Sequence, residues 1–170
     1  LYLREGEIWK LADELGANDD LSVSIKAGIP PELDVEVRKI TISNHTANTR
    51  EIELTTYAEI ALNHPMADAG HPAFSKLFVQ TSVIGKAPAL LALRRPRGLN
   101  ENWPWMAQTL IGADSLSWET NRATFLGRGK TPLDPAAMAK PGSLSGETGN
   151  VLDPVMAWRG NLVLGPKESK

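Results

Sequence analysis

Histidines, clustered glutamates, a glycine-rich lysine turn and tryptophans are the residues of this chain whose chemistry reaches beyond packing. His64 and His71 share one segment with Asp68 between them, and a metal site can be imagined there. Their His-x6-His spacing matches no standard ligand set. Each also stands directly before a proline, which biases its backbone toward extended conformations. Residues 63–74, with two His-Pro pairs and few β-branched side chains, therefore read as an ordered loop with no metal ion expected.

Glu51, Glu53 and Glu59 recur at odd positions of one segment, which places them on a single face of an extended chain. Cleaving a glycosidic bond takes two carboxyls across a cleft, about 5–10 Å apart, one of them in an apolar pocket. Nothing in the spacing of these acids sets up that arrangement, and they read as solvent-facing strand residues that serve solubility and edge protection. Gly127-Arg128-Gly129-Lys130-Thr131 has the composition of a phosphate loop but lacks the glycine spacing required before Lys-Thr. No serine occupies a Gly-x-Ser-x-Gly elbow. With no cysteine, disulfides, thiolate zinc sites and thiol nucleophiles are all excluded. No catalytic residue and no cofactor are expected.

Trp9, Trp103, Trp105, Trp118 and Trp158 carry more weight in a chain with only 6% aromatic residues. An indole packs well on the apolar C–H face of a pyranose, so each is either a sugar platform or a packing residue. Trp118 and Trp158 fall in strand-like segments and read as core. Trp103 and Trp105 flank Pro104 beside a loop and are the candidates for a carbohydrate-binding surface, with packing as the alternative.

The elements that must position these residues are strands. In residues 50–63, Ile52, Leu54, Thr56, Ala58, Ile60 and Leu62 alternate with Glu51, Glu53, Thr55, Tyr57, Glu59 and Asn63. Such period-2 alternation predicts one long strand with a core face and a water face. Residues 34–43 predict a second long strand, joined to it by the polar loop 44–49, and the slip in phase at Arg38-Lys39 predicts a β-bulge. Shorter strands are expected at 6–9, 21–27, 76–84, 89–95, 105–111, 116–121 and 155–164, with helical turns at 11–15 and 135–139. Strands recurring without an amphipathic helix of normal length mean an all-β antiparallel sandwich, read as one domain over residues 1–170.

A formal net charge of −2 offers no basic field for a nucleic acid. The densest basic cluster, Arg94, Arg95 and Arg97, reads as a solvated turn. No apolar run reaches the ~20 residues needed to cross a bilayer. Both ends read as those of a soluble piece of a larger protein.

Several segments together resemble a known family. Val35-Glu36-Val37-Arg38-Lys39-Ile40-Thr41-Ile42-Ser43-Asn44 followed by Glu51-Ile52-Glu53-Leu54-Thr55-Thr56-Tyr57-Ala58-Glu59 resembles the sandwich domain of glycoside hydrolase family 94, formerly glycosyltransferase 36. More specific are His71-Pro72-Ala73-Phe74-Ser75-Lys76-Leu77-Phe78-Val79, Glu119-Thr120-Asn121-Arg122-Ala123-Thr124-Phe125-Leu126-Gly127-Arg128-Gly129 and Gly149-Asn150-Val151-Leu152-Asp153-Pro154. These are similar to the phosphorylase-like region of cyclic β-1,2-glucan synthases. The resemblance covers roughly residues 30–165, with the motifs in the family's order.

The resemblance implies an antiparallel β-supersandwich of the galactose-mutarotase-like kind that precedes an (α/α)6 catalytic barrel. The family's catalytic residues belong to that barrel, which no part of this chain matches. The implied parent is a bacterial inner-membrane synthase with this domain on the cytoplasmic side. Carbohydrate contact is then expected at His71, Phe74 and Lys76 and at Arg122 and Arg128, with structural use of the same residues as the alternative. Three roles follow: a non-catalytic domain that supports the barrel and contacts a β-glucan oligosaccharide, a purely structural or oligomerising module, and a mutarotase-like epimerase. The last requires His64 or His71 to face Glu53 or Glu59.

Overall fold

The computed structural model describes residues 1–15, 20–86, 88–96, 98 and 104–170, so Arg97 and Trp103 lie outside the described residues. In chain order the strands are β1 (Tyr2–Glu5), β2 (Ile8–Leu11), β3 (Leu21–Gly28), β4 (Val37–Asn44), β5 (Arg50–Thr55), β6 (Ala58–Glu59), β7 (Val79–Ile84), β8 (Ala89–Arg94), β9 (Trp105–Gln108), β10 (Ser115–Asn121) and β11 (Pro154–Leu164). Three short helices, α1 (Pro65–Gly70), α2 (Pro72–Lys76) and α3 (Arg122–Leu126), punctuate them. The result is an all-β antiparallel sandwich.

Its middle layer is a six-stranded sheet in the order β10-β11-β5-β1-β2, with β6 also on β11. One face is apolar. Leu3, Ile52, Leu54, Leu162 and Leu164 pack there against Leu21 and Ile42 of the β3–β4 hairpin. Further along the same face, Met156 and Trp158 pack with Ile60 against Val79, Leu90 and Ala92 of the β7–β8–β9 sheet. Trp118 lies edge-on to Trp158 at 5.8 Å, so both tryptophans read as core do serve packing. Gly160 has no room for a side chain, since a Cβ there would come within 2.6 Å of the Ala113 Cβ.

The long strand expected over 50–63 is two strands on one register. Pairing runs from Arg50 opposite Leu164 to Thr55 opposite Arg159, and resumes with Ala58 opposite Met156. Between them Thr56 still exchanges bonds with Trp158: its N–H donates to the carbonyl at 2.8 Å and its Oγ1 accepts at 3.2 Å. The apolar face is as the alternation predicts. The other face is only partly in water: Glu51 and Glu59 are exposed, whereas the connection 127–149 reaches Glu53 and α3 packs on Tyr57.

That second face is where the charged residues gather. Arg4, Glu53, Thr55, Glu119 and Arg159 stand on it, and the guanidiniums of Arg4 and Arg159 are almost wholly buried. Arg4 Nε lies 3.2 Å from Glu53 Oε2 and Arg159 Nη1 lies 3.9 Å from it. Arg159 also donates to Thr55 Oγ1 at 2.9 Å, Gly142 O at 2.6 Å and Ala137 O at 2.7 Å. Arg4 donates to Met138 O. Glu53 accepts from Gly142 N at 2.8 Å, and Glu119 accepts from Ser145 Oγ and from the N–H groups of Thr120 and Asn121. Burial lowers the Arg159 guanidinium below its ordinary value, Glu53 opposes that shift and the charge of Arg4 adds to it. The layer is completed by Tyr2, Phe125, Leu126, Met138 and Ala157.

Two further expectations are corrected. β4 pairs with β3 without a shift from Val37 opposite Gly28 to Asn44 opposite Leu21, so there is no bulge at Arg38-Lys39. The phase slip needs no repair because Val35 and Val37 are exposed at the far end of the hairpin, where no core dictates a face. Residues 63–74 are not a loop: they hold α1 and most of α2, each with a proline in its first turn, where a fixed φ suits a helix start. Helices this short show no 3.6-residue period, which is why the sequence reads as irregular there.

Replacing Glu53 with alanine leaves two buried guanidiniums without their carboxylate, and a loss of about 3–5 kcal/mol is expected. Glu51→Ala, at an exposed position on the same face of the strand, is expected within about 0.5 kcal/mol of the parent protein. Urea denaturation of the two variants measures the difference.

Candidate functional site

The three motif segments are far apart in sequence but meet at one end of the central sheet. β6 brings Glu59, α2 brings Lys76, the first turn of α3 brings Arg122, and the start of β11 brings Asp153 beside Pro154. Lys76 Nζ lies 2.8 Å from Asp153 Oδ1 and 3.6 Å from Glu59 Oε2. Arg122 Nε donates to Glu59 Oε1 at 3.0 Å, and its Nη1 lies 3.6 Å from Asp153 Oδ2. Tyr57 adds a hydroxyl that donates to Glu59 Oε1 at 3.0 Å. Two cations and two anions thus alternate in a closed, neutral ring.

Local structure aims each member. Asn121 caps α3 by accepting from Ala123 N at 3.0 Å, and Arg122 N donates to Asp153 O at 2.9 Å, which ties the two motif segments together. Asn63 donates to Ser75 Oγ at 2.8 Å and holds α2 against the strand end. Tyr57 stacks on Phe125 at 4.9 Å. Burial first, then its bond to Glu59, raises the Tyr57 hydroxyl above the ordinary range. Burial pushes the Glu59 carboxyl up, but bonds from Arg122 and Tyr57, with the charge of Lys76, outweigh it and hold the group below its ordinary value.

Of the residues predicted to contact sugar, the structure brings Lys76 and Arg122 together and leaves the others apart. His71 is exposed at the junction of α1 and α2, where its carbonyl accepts from Ser75 N. Phe74 is half exposed and meets Phe78 edge-on at 5.3 Å. Arg128 is exposed on the turn after α3. Trp105 is 65% exposed on β9. Sequence reasoning missed Glu59 and Asp153 as members of the ring: Glu59 was assigned to a solvent face, and Asp153 carried only its place in the last motif.

The geometry required for an epimerase is not found among the described residues. Glu53 is engaged by Arg4 and Gly142, Glu59 by Arg122, Lys76 and Tyr57, and neither meets a histidine. His64 accepts from Met66 N through Nδ1 as the cap of α1, and His45 bonds Ser22. No group of three His, Asp or Glu residues that could hold a metal ion occurs among the described residues. No helix there is long and apolar enough to cross a membrane.

The sequence matches the model of the family described as "Glycosyl hydrolase 94, supersandwich domain" over residues 16–170, which extends the resemblance at both ends. It is also similar to the cyclic beta-(1,2)-glucan synthase NdvB of Rhizobium meliloti (strain 1021), at 32% identity over 146 residues. That alignment covers 82% of this chain and 5% of the synthase.

Because Glu59 is ionised more readily in the folded protein than in the unfolded chain, its charge stabilises the fold. That contribution is complete above the unfolded value of about 4.3 and is lost as pH falls through the depressed folded value. The urea midpoint is therefore expected to fall on acidification below about pH 4.3. Glu59→Gln is expected to start lower at neutral pH and to show a shallower acid slope. Midpoints measured against pH for both proteins check this.

Proposed function

Since the chain belongs to the glycosyl hydrolase 94 supersandwich family, we propose that it is the non-catalytic sandwich of a cyclic β-1,2-glucan synthase or related glycan phosphorylase, and that its work is to support a catalytic (α/α)6 domain. On this reading the parent is a bacterial inner-membrane enzyme with this domain on the cytoplasmic side. The observation that carries the reading is the closed ring of Glu59, Lys76, Arg122 and Asp153. Acids that each hold two cations are poor general acids, and a general base must keep a free lone pair for the proton that it takes.

A second observation favours a domain that docks on another. The distal half of the β3–β4 hairpin exposes Ile25, Ile29, Leu33, Val35 and Val37, at 48% or more of their surface. A two-stranded ribbon is marginal by itself in water, and apolar side chains on it call for a covering partner. The catalytic domain of the same parent chain is the partner that this reading assigns.

The purified chain is expected to leave β-1,2-glucan unchanged with or without phosphate, as read by product chromatography. Turnover that disappears in Glu59→Gln would make the domain an enzyme instead. Co-expressed with the parent's catalytic domain, the chain is expected to co-purify with it. The double variant Ile29→Asp, Val37→Asp is expected to stay folded and lose that association.

A further inference from the structure

The β7–β8–β9 sheet turns Val79, Thr81, Leu90 and Ala92 into the core, and its outer face is left over. Across that face Gln80, Leu93 and Trp105 stand in register on three successive strands, with Ser82, Leu91 and Ala107 as the next row. Trp105 is 65% exposed, and Leu91 and Leu93 are half-buried. Beyond the β7 edge the chain continues the sheet: Thr81 N donates to Gly149 O at 2.9 Å and Gly149 N donates to Thr81 Oγ1 at 3.0 Å. This places Asn150 beside Gln80, whose Nε2 donates to Asn150 Oδ1 at 2.6 Å.

The row therefore has an aromatic end and an amide end. Strands lie about 4.8 Å apart, so the two ends are about 10 Å from each other, the reach of a disaccharide rather than a single ring. The Gln80–Asn150 bond uses one donor and one acceptor, and the pair retains N–H donors and carbonyl lone pairs of its own. Sugar hydroxyls need both kinds. Neither row contains a charged side chain; among the described residues Arg95, opposite Phe78, is the first charge along the face. An anion or cation would find no counter-charge there, whereas a neutral ligand with an apolar ring face and a hydroxyl rim matches both ends.

We propose that the Trp105–Leu93–Gln80–Asn150 row is a binding platform for a neutral β-linked gluco-oligosaccharide. The proposal rests on the reading that the parent acts on β-glucan. Trp105 stacks on one pyranose, Leu93 lies beneath the linkage, and the amides of Gln80 and Asn150 hydrogen-bond the next ring. Lys76 and Arg122, whose charges are engaged in the ring at the sheet's end, take no part.

The test is a titration of the isotope-labelled chain with β-1,2-linked gluco-oligosaccharides, read by amide and indole chemical shifts. Saturable shifts at Gln80, Leu93, Trp105, Ala107 and Asn150 are expected. Trp105→Ala is expected to weaken binding about tenfold or more, with the rest of the spectrum unchanged. Gln80→Ala is expected to weaken it by a smaller factor, and Glu59→Gln to leave it unaltered. Silence at millimolar sugar from a folded protein, full affinity in Trp105→Ala, or shifts centred on another face would each overturn the platform. Silence with co-purification of the catalytic domain intact would leave the supporting role standing, and retained shifts with that association lost would overturn the supporting role alone.

Discussion

The burial of Arg4 and Arg159 beneath residues 137–142 is the constraint on which the rest of this structure depends. A guanidinium out of water must have its donors met, and a sheet face carrying two of them cannot be covered by an apolar helix. A single 3-10 turn, Ala136–Met138, and the irregular backbone that follows it solve the problem, because carbonyls of so short a turn are left without internal partners. Ala137, Met138 and Gly142 supply those carbonyls, and Glu53 supplies the counter-charge. The long connection 127–149 is thus a structural layer, and the shortness of its one 3-10 turn is what leaves carbonyls free for the role.

The same polar logic operates at the end of the sheet, where the consequence is different. α1 buries no residue and α2 buries only Ser75, so these helices are not anchored by a hydrophobic face. Lys76, bonded to Asp153 and Glu59, holds them to the body instead. Segments tied by partly exposed ion pairs open more easily than segments tied by core contacts. The protein therefore combines a rigid centre with an end whose order depends on a few charges, beside three motif segments that meet only in the fold.

Much of this was legible from the chain alone. Period-2 alternation in Ile52, Leu54 and Ile60 identified a core face, and the structure buries all three. Trp118 and Trp158 were read as packing residues because they sit in strand-like segments, and they pack on each other. The motifs at 71–79, 119–129 and 149–154 identified the family. What alternation cannot reveal is what lies across the other face. Glu53 and Glu59 look alike on paper, two acids at odd positions of one strand. One pairs with buried arginines under a loop, and the other closes an ion ring at the sheet's end.

By itself the sequence determined the strand architecture, the identity of its apolar face and its family, because these follow from local periodicity and from residues adjacent in the chain. Only the tertiary structure decided which charges are buried and which are mutually neutralised. Those outcomes depend on contacts such as Arg4 with Glu53 and Met138, or Lys76 with Asp153, between residues far apart along the chain. A side chain's burial and charge environment are set by what the fold places opposite it, and no local pattern records that.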